Sequence, residues 1–189
     1  MESLRTFIAL DIKVDNLLCS DWNYLKQILL RERVKWVQNK VLHLTLLFLG
    51  ETPGNVVDSI SEKLNHSLPL IRTFKLSIKG LGVFGNPLSP KVIWVGSENS
   101  SGLLILKKSI DDTILPLGYG TVEKSFIPHI TLGRGKDIKP NLVLKKYIDD
   151  RKDKFYQEVQ IDEVTFYQSI LRSEGPEYRP IKIIKLLSP

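Results

Sequence analysis

A chain of 189 residues, 42% hydrophobic and 25% charged, has the composition of an ordinary globular protein, which excludes a disordered chain and one built from membrane spans. Its net charge of +6 suits a polyanionic partner without demanding one, and its single cysteine, Cys19, excludes an intramolecular disulfide and a cysteine-based zinc site. The length predicts one compact unit over residues 1–189, and Met1–Arg5 lacks a signal-peptide layout, so a cytoplasmic protein is expected.

Leu4–Asp11 alternates as a strand, with Phe7 and Ala9 on one side and Ile8 and Leu10 on the other. From Asp15 to Arg33 the spacing turns helical: Leu17, Leu18, Trp22, Leu25, Ile28 and Leu29 recur at three- and four-residue steps, and Asp15 or Asn16 can cap the start. Cys19 in this helix reads as a buried, inert thiol. Val34–Val37 predicts a short strand, residues 38–40 a turn and Val41–Gly50 a buried strand, the two strands forming a hairpin. A second helix spans about Val56–Asn65, with Pro69 marking its end. Thr73–Lys79 predicts a strand, residues 80–90 a loop, Val92–Val95 a strand, and Ser101–Leu115 a helix that stops before Pro116 and Gly118. A loop rich in glycine and charge delivers the chain to a strand at His129. A helix over Asn141–Asp150 and strands over Val159–Ser169 and Pro180–Leu187, separated by a turn at Gly175-Pro176, complete the pattern.

This mixed order favours an α+β fold over a doubly wound sheet. Two similar strands, one in each half, carry His43-Leu44-Thr45-Leu46 and His129-Ile130-Thr131-Leu132. The expected architecture is bilobed: a pseudo-symmetric duplication of antiparallel sheets with outer helices, its central groove carrying two His-x-Thr-x motifs. Strands at the carboxyl end are expected to cross back into the first lobe.

In a strand, residues two apart share a face, so each histidine and its threonine point together while Leu44 and Leu46 point to the other side. Imidazole titrates nearest neutrality, so one histidine can donate a proton while another accepts one, each contribution being worth about two to four powers of ten in rate. On opposite sides of a phosphorus atom, two such groups assist an in-line displacement. The Thr45 and Thr131 hydroxyls can donate hydrogen bonds to the non-bridging oxygens, and Arg134 can add a charge-assisted bond. A single histidine among apolar residues is more often structural; the repetition favours chemistry. His66, in no such context, reads as a surface residue at a helix end. Two histidines without a neighbouring cysteine or carboxylate make a poor metal site, with Asp11 the one acid able to approach, so neither metal nor cofactor is expected. No Gly-x-Ser-x-Gly elbow, phosphate-binding loop or dinucleotide fingerprint occurs.

At these residues the chain resembles the two-histidine phosphoesterase superfamily and, within it, the RNA 2',3'-cyclic phosphodiesterases, also called the 2'-5' RNA ligase family. The resemblance spans nearly the whole chain. It is carried by Arg5–Leu10, Trp36, Leu42–Leu46, Phe48–Gly50, Gly80–Phe84, Val92–Gly96, Pro128–Leu132 with Arg134, and Gly175–Tyr178. It implies a bilobed α+β fold and metal-independent hydrolysis of a terminal 2',3'-cyclic phosphate to a 2'-phosphate. His43 would be the proton donor to the departing 3' oxygen and His129 the proton acceptor that activates water, with Thr45, Thr131 and Arg134 holding the phosphate. Near-symmetric sites can exchange these two roles if the substrate enters reversed.

The implied partner is RNA ending in a 2',3'-cyclic phosphate, tRNA-derived RNA included, with small cyclic nucleotides as further substrates, no membrane, and a monomeric protein. Phe7 and Phe48 are candidates to stack a terminal base, with core packing the competing reading for each. Trp36 and Trp94 read as core or lobe-interface residues. The basic runs Arg31/Arg33/Lys35, Lys107/Lys108, Lys145/Lys146 and Arg151/Lys152/Lys154 read as solvated faces, one or two of their members at most touching RNA. Two other functions use the same groove: 2'-5' RNA ligation, and binding of RNA ends without turnover.

Overall fold

The computed structural model describes residues 3–120, 125–172 and 175–188. In chain order its elements are β1 (Ser3–Asp11), α1 (Asn16–Ile28), β2 (Val34–Trp36), β3 (His43–Pro53), α2 (Gly54–Ser67), β4 (Phe74–Asn86) and β5 (Ser89–Ser97). Then follow α3 (Ser101–Ile114), β6 (His129–Gly135), α4 (Leu142–Asp149), β7 (Phe155–Ile161), β8 (Glu163–Arg172) and β9 (Gly175–Lys185). Asp15, Ser100 and Asn141 cap α1, α3 and α4, each side chain accepting from the backbone N–H three residues on.

Among the described residues the strands form one antiparallel sheet in the order β7-β4-β5-β6-β3-β1-β8-β9, with β2 added to β6. The order divides into two halves of four strands, β7-β4-β5-β6 and β3-β1-β8-β9, joined by a single partner pair, Leu44 on β3 with Ile130 on β6. α2 and α3 pack on each other and on β3, α3 also reaching β4 of the other half, and α4 packs on α1 and β4. The fold is the expected bilobed α+β duplication, and β8 does return to the first lobe, pairing with β1. The buried side chains of both lobes, from Ile8 and Leu10 through Leu44, Ile93 and Ile130 to Phe166, form one contiguous cluster.

Several expected elements are corrected. The hairpin between the segments at 34–37 and 41–50 is absent; β2 pairs instead with β6, Val34–Trp36 against Gly133–Gly135. The glycine makes this possible, because a Cβ at Gly133 would lie 2.7 Å from the Trp36 ring and 3.0 Å from Val34 Cγ1. The predicted loop at 80–90 is mostly strand: β4 runs through Gly80 to Asn86 in register with β5, and only the short turn before Ser89 is loop. Gly82 is there because the Trp94 ring lies across it, where any Cβ would collide, and not to break the strand. The segment 159–169 breaks at Asp162 into β7, which joins β4, and β8; β9 starts at Gly175, well before Pro180. Cys19 is half-buried, not buried. Residues 121–124 of the predicted Gly- and charge-rich loop, with 173, 174 and 189, lie outside the described residues.

A buried carboxylate ties α1 to α4 and β7. Asp21 on α1 is 6% exposed and accepts from Tyr147 Oη (2.8 Å) on α4, Arg151 Nε (3.1 Å), Lys154 Nζ (2.8 Å) and Tyr156 Oη (2.9 Å) on β7. A charge this deep persists only when its lone pairs are satisfied, and here four donors satisfy them.

Candidate active site

The two histidine strands share one irregularity. Along β3 the partners on β1 run Asp11–His43, Leu10–Leu44, Ala9–Thr45 and then Ile8–Leu47, so Leu46 is an extra residue. Along β6 the partners on β5 run Gly96–His129, Val95–Ile130, Trp94–Thr131 and then Ile93–Gly133, so Leu132 is the extra residue. A bulge with one extra residue reverses the alternation beyond it. His43 and Thr45 face the groove; Leu46 and Leu47 are both buried, and Phe48 returns to the groove side. His129 and Thr131 face the groove, Leu132 and Gly133 are both buried, and Arg134 returns.

The groove has a volume of about 730 Å³, and its lining includes His43, Thr45, Phe48, His129, Thr131 and Arg134 together. Each imidazole is oriented identically: His43 Nδ1 lies 2.8 Å from the Val41 carbonyl, and His129 Nδ1 lies 2.8 Å from the Ile127 carbonyl. A carbonyl can only accept, so each Nδ1 carries the proton and proton transfer at either ring falls to Nε2. Aromatic rings of its own lobe floor each histidine. Phe7 and Tyr178 pack on His43, with centroids 5.1 and 5.0 Å away, and Phe84 meets His129 edge-on at 4.8 Å with Trp94 behind it.

The profile of the 2'-5' RNA ligase superfamily matches residues 17–170, which takes in both histidine strands and the groove between them. The chain belongs to this superfamily. A relative in Archaeoglobus fulgidus, named RNA 2',3'-cyclic phosphodiesterase, is 32% identical over 184 residues, 96% of this chain and 100% of the relative. One in Methanocaldococcus jannaschii, with the same name, is 33% identical over 179 residues, 95% of this chain and 99% of the relative. The crystal structure of the Thermus thermophilus protein TT0787 superposes with a TM-score of 0.79 over 98% of this chain and 99% of that one at 24% identity, which shows a shared fold.

Within this superfamily member the expected site residues fall in one place, with one exception. Phe7 is 3% exposed, sealed beneath His43, Tyr167 and Tyr178, so it supports the imidazole and is out of reach of a base. Phe48 is 45% exposed on the groove wall, and the Arg5 guanidinium sits 4.8 Å over its ring. Tyr178, Lys35 and Glu177 also line the groove. Sequence reasoning read Lys35 as one of a solvated basic run and gave Glu177 and Tyr178 no role in the site beyond the resemblance of their turn; the site position of all three depends on pairings distant in the chain.

Burial pulls the His43 pKa below its ordinary 6.5; the Val41 carbonyl and the Asp11 charge work against that shift, while Arg134 and His129 reinforce it. The two imidazoles and the guanidinium are therefore close enough to feel one another. Asp11 is not part of the groove lining. It accepts from Tyr167 Oη (2.6 and 2.8 Å) and from Thr165 Oγ1 (3.2 Å) beside β3, where it is the strand partner of His43. Glu177 is held by Arg172 and Arg179. Among the described residues no three His, Cys, Asp or Glu side chains gather in a way that could hold a metal ion, and no helix is long and apolar enough to cross a membrane.

Proposed function

We propose that the protein hydrolyses the terminal 2',3'-cyclic phosphate of RNA to a 2'-phosphate, using His43 and His129 as proton donor and acceptor without a metal ion. The observation that carries this reading is the pair of imidazoles, one from each lobe, presented with the same nitrogen to one groove between two threonines and an arginine. The names of the relatives that match nearly the whole chain support the substrate class.

In the proposed reaction, water attacks phosphorus in line with the bond to O3'. His129 Nε2 takes the water proton as the new P–O bond forms, and His43 Nε2–H protonates O3' as the P–O3' bond breaks, leaving phosphate on O2'. Thr45, Thr131 and Arg134 hold the non-bridging oxygens as charge builds on them. Phe48, exposed on the wall, offers a face for the terminal base. The donor set supports a metal-free route, since the carboxylates near the groove are already committed to Tyr167, Thr165, Arg172 and Arg179. Both lobes act as one catalytic unit, because each supplies one histidine.

The test is an oligoribonucleotide ending in a 2',3'-cyclic phosphate, incubated with the protein in EDTA and without nucleotide. A 2'-phosphate product that disappears with His43→Ala and with His129→Ala is expected. A cyclic end left intact by the wild-type protein, or opened equally well by both variants, overturns the proposal.

A further inference from the structure

The corner where β2 joins β6 gathers cations that form no ion pair among the described residues. Lys35 and Arg134 are direct cross-strand partners. Beyond the Val34–Gly135 pair the same register continues, the Lys136 backbone N–H donating to the Arg33 carbonyl at 2.8 Å. Two rungs of this register, separated by the Val34–Gly135 pair, therefore set cation against cation. Val34 and Trp36 pack over Gly133 on the core side, so alternation turns both cationic rungs the other way, and Lys35 and Arg134 line the groove.

Like charges directly opposite across a ladder are destabilising. On other ladders of this sheet opposite charges face each other instead, Arg5 opposite Glu51 and Glu163 opposite Lys185. Among the described residues Arg33, Lys35, Arg134 and Lys136 pair with no carboxylate. Of the acids nearby, Glu177 in the groove is paired with Arg172 and Arg179, Glu32 accepts from the Lys139 backbone N–H at 3.1 Å, and neither Glu32 nor Asp137 forms an ion pair among the described residues.

We propose that this ladder is a binding site for the RNA backbone upstream of the cyclic end, and that it makes the protein an enzyme of RNA strands in preference to mononucleotides. The inference rests on the function proposed above. One rung lies in the groove, beside the histidines, and the other about 6.6 Å further out, two strand residues along. That step matches the spacing of successive phosphates in an extended strand. A strand whose terminal phosphate sits between the histidines thus runs out over Arg33 and Lys136, and these two cations touch only substrates longer than one nucleotide.

The test compares wild type with the Arg33→Gln/Lys136→Gln double variant on a nucleoside 2',3'-cyclic phosphate and on a pentaribonucleotide with a 2',3'-cyclic end. The expected result is an unchanged kcat/KM for the mononucleotide and a loss of about tenfold for the pentamer. The slope of log kcat/KM against log salt for the pentamer should flatten by about 1.4, the value for two contacts on a single strand. Equal losses on both substrates, or no loss on the pentamer, overturn the ladder. Affinity for a pentaribonucleotide ending in a 3'-phosphate, measured on the same two proteins, separates the two proposals. If wild type opens neither cyclic substrate yet binds the strand more tightly than the variant, hydrolysis is wrong and the ladder stands. Equal affinity of the two proteins removes the ladder whatever the turnover.

Discussion

Phe48 and Arg134 occupy equivalent places on the two lobes, each five residues after its histidine and each returned to the groove by a one-residue bulge. The backbone is duplicated, but the side chains at these two places are not, so the groove has an aromatic end and a cationic end. Arg134→Ala should lower kcat/KM on a cyclic-ended oligonucleotide by about 10- to 100-fold, the worth of one hydrogen bond to a charged group. Phe48→Ala should act chiefly on KM, raising it about 5- to 100-fold through lost base stacking. Steady-state kinetics on both variants check the asymmetry; equal effects on kcat would remove it.

Leu44 and Ile130, both 0% exposed, are the one strand-partner pair between the motif strands among the described residues, and each directly follows a histidine. Ile130→Ala should cost about 2–5 kcal/mol of stability, as large-to-small core changes do. It should also lower kcat in the protein that remains folded, since His43 and His129 are aligned through this contact. Denaturant unfolding together with kcat at a temperature where the variant is fully folded tests both parts; full kcat there would mean the lobes are aligned by other contacts.

The pH dependence follows from His43. Burial lowers its pKa from 6.5, so in the free enzyme the protonated ring is lost as pH rises through a value below 6.5. A proton donor with that property makes kcat/KM fall on the alkaline side of that value. Asp11 acts in the raising direction. Asp11→Asn should therefore shift the alkaline fall of kcat/KM to lower pH, and a profile that moves upward instead would reverse the sign of this coupling.

Asp21 should matter for stability and not for chemistry. Burial alone would raise its pKa, but hydrogen bonds from Lys154, Tyr147 and Tyr156 and the Lys154 charge outweigh that, holding it below 3.8. A depressed carboxyl stabilises the fold above its unfolded pKa and loses that contribution as pH falls through the folded value, here below 3.8. Asp21→Ala, which leaves Arg151 and Lys154 without their buried partner, should cost about 3–5 kcal/mol near neutrality. Urea midpoints measured from neutrality down to acid pH should converge for wild type and variant at the acid end.

What could be read from the chain alone was local or repeated. The start of α1 follows from the capping residue Asp15, whose side chain satisfies an N–H group three residues on. The chemistry followed from the duplicated His-x-Thr spacing, since strand alternation places both side chains on one face wherever the strand sits. Glycine misled the reading at Gly82, because a residue without a Cβ serves equally to end a strand and to admit a ring from a neighbouring one. Which strand lies beside it is a property of the whole fold. For the same reason the Leu46 and Leu132 bulges, the exchange of a hairpin for the β2–β6 pairing, and the burial of Phe7 were decided only in three dimensions. Each depends on a partner far along the chain, and register between distant strands is set by packing of the whole sheet, not by any local pattern.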